Sequence, residues 1–216
     1  MTENTASLFH PGFQPVPEDE KIDTAKFLAA CDKIPGFFDL LGGIAFRPVK
    51  ADVIGNIEKI RNRFLARPVD FQHLESILII EKTETDKLLK AKDGNGIATN
   101  ALMWLKRGLK FIALFIEHLI KEDYDENLEN LKSCVRLAYE GSLKDYHGWF
   151  VSKVVTAATN ACPYRKDFLN TLATSEGTSV EKVIETMQVF STGFNDNIAV
   201  IYKHFEKHDV EKFQKV

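Results

Sequence analysis

The chain has 216 residues, 44% hydrophobic and 27% charged, with a formal net charge of −3, which suits one domain able to bury a real core. That charge gives a nucleic-acid partner no electrostatic support, because neutralising phosphates takes a basic surface. No uncharged apolar run reaches the roughly 18 residues of a spanning helix; Phe111 to Ile116, for example, is bounded by Lys110 and Glu117.

In chain order, residues 1–21 carry Pro11, Gly12, Pro15 and Pro17 with little periodicity and read as an extended lead-in to a single domain over 22–216. Asp23 or Thr24 caps a first helix whose apolar positions are Phe27, Leu28, Cys31 and Ile34. Pro35-Gly36 interrupts it and Gly42-Gly43 marks a loop. A second helix runs from Pro48 to Ala66, stopped by Arg67-Pro68, and a third from Val69 to Leu89. After Gly94 and Gly96 comes a strong helix from Ile97 to Lys121, then one from Glu126 to Cys162 with a kink expected near Gly141 or Gly148. A short segment at Lys166–Ala173 and a long helix from Ser179 to His208 complete an all-α chain. Met1-Thr2-Glu3-Asn4 lacks the basic start and apolar stretch of a signal peptide. Cys31, Cys134 and Cys162 are few and far apart, as expected of reduced thiols in a cytoplasmic protein and not of a disulfide framework or zinc site.

Three segments carry hydrogen-bonding or aromatic groups. At 100° per residue, Asn56, Lys59 and Arg63 fall within about 40° of Asp52 and form with it a polar stripe beside Val53, Ile57, Ile60 and Phe64. It is either a solvated face or a rim of acid, amide and ammonium, the mixture that polyols demand because each sugar hydroxyl both donates and accepts. Trp104 shares a stripe with Gly108, Phe111 and Phe115, and a second apolar sector lies beside it. The indole is either core or, with Gly108 leaving space one turn on, a flat platform for a sugar ring. His147 shares a helical face with Tyr139, Leu143, Phe150 and Val154; it is either a satisfied core residue or a neutral imidazole that serves an amide. Trp149 points away from that face, one turn from Lys153, and reads as an interfacial membrane anchor or as a stray aromatic under a loop.

These segments resemble the glycolipid transfer protein family over nearly the whole chain, from about Ile22 to Val216. The likeness rests on Phe37-Phe38-Asp39-Leu40-Leu41-Gly42, Pro48-Val49-Lys50-Ala51-Asp52 through Lys59, Ala101 to Leu109 around Trp104, Tyr146-His147-Gly148-Trp149, and Ala161-Cys162-Pro163-Tyr164. The resemblance implies a two-layer all-helical sandwich with a hydrophobic tunnel for ceramide chains. It implies that Asp52, Asn56, Lys59, Trp104 and His147 hold the sugar and amide, and that Trp149, with Lys153, docks the membrane. Phe37, Phe38, Phe46, Pro48 and Val49 match the hydrocarbon-accepting region, to which Phe111 and Phe115 beside Trp104, and Leu143 and Phe150 beside His147, are added.

Expected ligands are glucosylceramide, galactosylceramide or lactosylceramide, with transient membrane contact and no cofactor or metal. Phe37-Phe38-Asp39 also resembles the family's short motif for endoplasmic-reticulum tethering proteins. Two positions depart from the family: Gln214 stands near the place of a C-terminal tyrosine, and Asn100 replaces a leucine one turn before Trp104. A glycolipid sensor acting through protein partners would share the pocket. An enzyme using His147 as base finds no nucleophile elbow, metal-ligand spacing or glycine-rich phosphate loop in this chain.

Overall fold

The computed structural model describes residues 8–84, 89–92, 94–121, 131–213 and 215, and of Phe150 only the backbone. Among them are nine α-helices and no strand: α1 Thr24–Cys31, α2 Ile34–Gly42, α3 Arg47–Ala66, α4 Leu74–Thr83, α5 Ile97–Leu119, α6 Lys132–Glu140, α7 Trp149–Asn160, α8 Arg165–Glu176 and α9 Val180–Lys207. Short 3-10 turns at Gly43–Phe46 and Lys144–Tyr146 lead into α3 and precede α7. The all-α class holds, and the helices form the two-layer sandwich with α5 through its middle, packed against α3, α4, α6 and α9.

Local chemistry sets several helix starts. Asp23 caps α1 by accepting from the Lys26 N–H at 2.9 Å, and Ser179 caps α9 through Lys182. Pro35 sits in the first turn of α2, where its missing N–H costs nothing, so it begins a helix where the sequence suggested only an interruption. The expected helix from Val69 begins later, at Leu74, because Phe71 is turned fully inward beneath the guanidinium groups of Arg63 and Arg67. It ends at Thr83; Leu89, where the sequence ended it, is described but lies outside α4.

The single helix expected from Glu126 to Cys162 is two helices. Glu126 lies outside the described residues; α6 stops at Gly141 and α7 starts after Gly148, with the 3-10 turn between. Gly141 passes so close to α5 that a Cβ there would meet Leu114 Cδ1 at 2.8 Å. The lead-in segment lies on the helices through its aromatics. Phe9 meets Phe37 and Phe190 at 5.8 and 5.4 Å, and Phe13 meets Phe27 and Phe194 at 5.7 and 4.7 Å between ring centroids.

Helix α5 is buried around most of its circumference, so its polar ends need partners from elsewhere. Its N-cap, Gly96, supplies no side chain. The fully buried Glu81 of α4 does so instead, accepting from the N–H groups of Ala98 at 3.3 Å and Thr99 at 2.7 Å. Arg63 of α3 neutralises that carboxylate at 3.0 Å and reaches Glu84 at 3.1 Å. One acid thus ties three helices. Glu81→Ala is expected to cost about 3–5 kcal/mol, the toll of breaking a buried pair that also serves two helix N–H groups, measured as a lower urea midpoint. A loss under 1 kcal/mol would contradict this role.

A second clamp joins α4 to α9: Glu75 accepts from Lys207 at 2.8 Å and from His208 at 2.7 Å. The Lys207 hydrogen bond leads in holding the Glu75 carboxyl down at about 2 against an ordinary 4.5, with His208 and the nearby His204 adding to it. A depressed acid contributes stability that is present above its unfolded pKa and is lost as pH falls from 4.5 toward 2. Thermal melts across that window should therefore show a shallower acid decline for Glu75→Gln than for the parent chain. Parallel declines would remove Glu75 from the account.

Candidate functional site

Where α3, α5 and α7 face one another, packing stops. A cavity of about 390 Å³ opens there, closed on one side by the segment Leu143–His147. Its floor is apolar and buried: Phe38, Val53, Leu105, Phe111 and Val155. Its rim is polar, with Asp52, Asn56 and Lys59 from α3 opposite Asn100 and Trp104 from α5. Helical periodicity makes this division. Positions 52, 56 and 59 share one stripe of α3, while Asn100, Trp104 and Gly108 recur every four residues as a half-buried stripe of α5. At Gly108 a Cβ would touch only Val53 Cγ2 at 3.9 Å, so the glycine helps keep the cavity open.

The polar groups are tuned by one another. Asn56 donates through Nδ2 to Asp52 Oδ2 at 3.1 Å. Desolvation by the apolar wall raises the Asp52 carboxyl above its ordinary range, against the opposing pull of Lys59 and of that hydrogen bond. His147 is not helical; it follows the 3-10 turn in extended backbone, φ −100° and ψ 131°. Its ring lies nearly parallel to the Trp104 indole, 6.3 Å away at 19°, and Tyr139 approaches at 5.6 Å. Desolvation first, then the Arg107 charge, lowers the imidazole below the usual histidine range and keeps it neutral at pH 7. Its Nδ1 is buried without a hydrogen-bond partner among the described residues.

All five proposed headgroup residues, Asp52, Asn56, Lys59, Trp104 and His147, therefore line one cavity, as do Phe38, Pro48, Val49, Phe111 and Leu143. Other sequence assignments lie elsewhere. Phe37 packs on Phe9, Phe46 sits behind Phe38 at 6.2 Å, and Phe115 is spent on Phe168 at 5.8 Å; none lines the cavity. Phe115 has the right angle but stands 11 residues from Trp104, roughly 16 Å along the axis. The side chain of Phe150, like Gln214, is outside the described residues. Arg63 leaves the polar stripe for Glu81 and Glu84. Phe37 and Phe38 are each 1% exposed, so the Phe37-Phe38-Asp39 segment offers a tethering protein no free ring.

The glycolipid transfer protein model matches residues 22–174. The chain belongs to the glycolipid transfer protein family. It is 40% identical to the glycolipid transfer protein of Xenopus tropicalis over 206 residues, covering 94% of this chain and 96% of that one. Against the Danio rerio protein it is 40% identical over 212 residues, covering 98% and 100%. Among solved structures it resembles the one that asks how FAPP2 selects simple glycosphingolipids using the GLTP fold (TM-score 0.80, 26% identity, 98% and 100% covered). It also resembles the fungal glycolipid transfer protein HET-C2 (TM-score 0.74, 32% identity, 92% and 94% covered).

Two features of this glycolipid transfer protein family member escaped the sequence reading. Lys106 and Arg107, in mid-α5, are fully buried and both pair with Glu211, after α9. Tyr146 takes the Arg107 guanidinium over its ring at 3.6 Å and stands edge-on to Trp104 at 6.4 Å. The available signal was the covered circumference of α5, which leaves those two cations no solvent face. Nothing in the spacing identifies Glu211 as their partner.

Proposed function

We propose that this chain binds a glycosphingolipid and carries it between membranes, with the sugar at the rim and the ceramide chains in the cavity. One observation carries the reading: an apolar floor meets a rim of carboxylate, amide, ammonium, indole and an imidazole with an unpaired buried nitrogen. A neutral His147 can complete its bonding with the ceramide amide, while Asp52, Asn56 and Lys59 exchange hydrogen bonds with sugar hydroxyls and the C–H face of a sugar rests on Trp104. No covalent step belongs to this scheme. Glycoside cleavage needs two flanking carboxylates, and Asp52 is the one carboxylate among the described residues of the lining.

Magnitudes divide the labour. A ceramide has about 30 methylenes, each costing about 0.8 kcal/mol to expose, so spontaneous escape from a bilayer faces a barrier on the order of 20 kcal/mol. The chains supply affinity; rim hydrogen bonds, each about 0.5–1.5 kcal/mol net, decide identity. At roughly 30 Å³ per water-sized group, the cavity's 390 Å³ seats only about a dozen methylenes. Its walls must part to take the rest.

Membrane contact uses exposed apolar groups flanking the cavity. Trp149, 73% exposed, opens α7, and Ile44, 75% exposed, lies on the 3-10 turn before α3. Lys153 Nζ sits 4.1 Å from the Trp149 ring centroid, placed to meet lipid phosphate as the indole enters the headgroup layer. The ligands proposed are glucosylceramide, galactosylceramide or lactosylceramide, and the working place is the cytoplasm, with transient membrane contact.

Asp52→Val and Trp104→Ala should each slow glucosylceramide transfer between vesicles at least tenfold, with helicity by circular dichroism intact. Undiminished transfer by both would remove the site. Trp149→Ala should weaken vesicle binding roughly tenfold and preserve headgroup preference. Altered preference with unchanged vesicle binding would contradict the anchor.

A further inference from the structure

We infer that the segment Glu211–Phe213 is a strap that sets the headgroup platform, with Glu211 a positioning residue acting through Arg107. This deepens the glycolipid reading and rests on it. Arg107 is fully buried beside the platform. Its Nη2 donates to Glu211 Oε1 at 2.5 Å and to the Lys212 carbonyl at 2.7 Å. Among the described residues its Nε and Nη1 have no hydrogen-bond partner, and Glu211 is the only carboxylate paired with it. The tail therefore decides where this guanidinium sits.

From Arg107 the contacts run straight to the site. The guanidinium covers the Tyr146 ring at 3.6 Å and the Trp104 indole at 4.8 Å. Phe213 holds Tyr146 from another side at 5.4 Å, although 70% of Phe213 is exposed. Tyr146 immediately precedes His147, which lies over Trp104. The tail backbone is itself pinned, the Lys212 N–H lying 3.4 Å from Met103 Sδ. Glu211 also holds Lys106 at 2.7 Å, whose ammonium rests 3.6 Å over Tyr202 and is pushed down by burial to about 8. One tail carboxylate thereby fixes two buried cations, and one of them braces the indole and the imidazole's segment together.

A strap that only stabilises the fold would affect every ligand alike. One that positions the platform affects sugar recognition above chain uptake, and the test reads that difference. Phosphatidylcholine vesicles carrying glucosylceramide or unglycosylated ceramide are incubated with the full chain and sedimented, and the lipid retained by the protein is quantified. The parent chain should favour glucosylceramide. Glu211→Gln should lower the glucosylceramide-to-ceramide ratio roughly tenfold and Phe213→Ala several-fold, with ceramide retention and helicity unchanged. Glu211→Asp should restore most of the ratio.

A parent-like ratio in the folded variants overturns the inference, and so does an equal loss of both lipids. Should Glu211→Gln not fold, Phe213→Ala decides, since its ring is largely in solvent. Failure of the glycolipid reading looks different: the parent chain itself would then retain no glucosylceramide.

Discussion

A helix with almost no free face governs this molecule. Once α5 is covered by its neighbours, each polar group it carries must be answered from a distant part of the chain. Glu81 answers the N–H groups at its start, Glu211 the two cations in its middle, and the Arg165 side chain donates to the Leu119 carbonyl at its end. These partners come from α4, the tail and α8. The same polar demands that would penalise α5 in isolation bind the outer elements in register around it. The half-buried stripe at Asn100, Trp104 and Gly108 lines the cavity and leaves room for a ligand.

That stripe explains why affinity and selectivity separate in space. The cavity floor offers only dispersion and exclusion of water, which scale with the methylenes taken in. The rim offers directional groups in a partly desolvated setting, visible in the upward shift of Asp52 and the downward shift of His147. Both shifts arise mainly from desolvation by burial at the cavity. Burying hydrocarbon next to these groups should strengthen their hydrogen bonds, because the same loss of water lowers the local dielectric. In the proposed scheme chain and headgroup recognition are coupled by geometry alone.

Much of this was readable from periodicity. The acid, amide and ammonium of α3 and the indole and glycine of α5 are separated by three, four or seven residues, so each set had to share a face. Axial distance and backbone breaks were harder. Phe115 has the angle of Trp104 but lies too far along α5, and Phe37 is diverted by Phe9 from a segment with no periodic signal. Helical spacing puts His147 on a continuous helix, yet the chain breaks between Gly141 and Gly148, where a Cβ at Gly141 would crowd Leu114 Cδ1 at 2.8 Å. The imidazole still reaches the cavity, by an extended segment. Arg107 and Glu211 stand 104 residues apart, and no local pattern encodes a pairing over that distance.

In the proposed scheme the His147 Nδ1, which has no hydrogen-bond partner among the described residues, suggests how binding and release coexist. A buried polar atom without a partner costs roughly 1–3 kcal/mol, so in the proposed scheme an amide that reaches this nitrogen relieves a penalty of that order. The amide loses a comparable partner on leaving its bilayer, so the exchange is close to balanced and filling the site need not trap the lipid. The rim behaves alike: Asp52 and Lys59 together carry no net charge, so a neutral sugar trades interfacial water for matched donors and acceptors with little net gain. The steep cost that remains is hydrocarbon in water, and the cavity floor removes it in both directions of transfer. A carrier built this way lowers the barrier between membranes without creating a deeper well of its own.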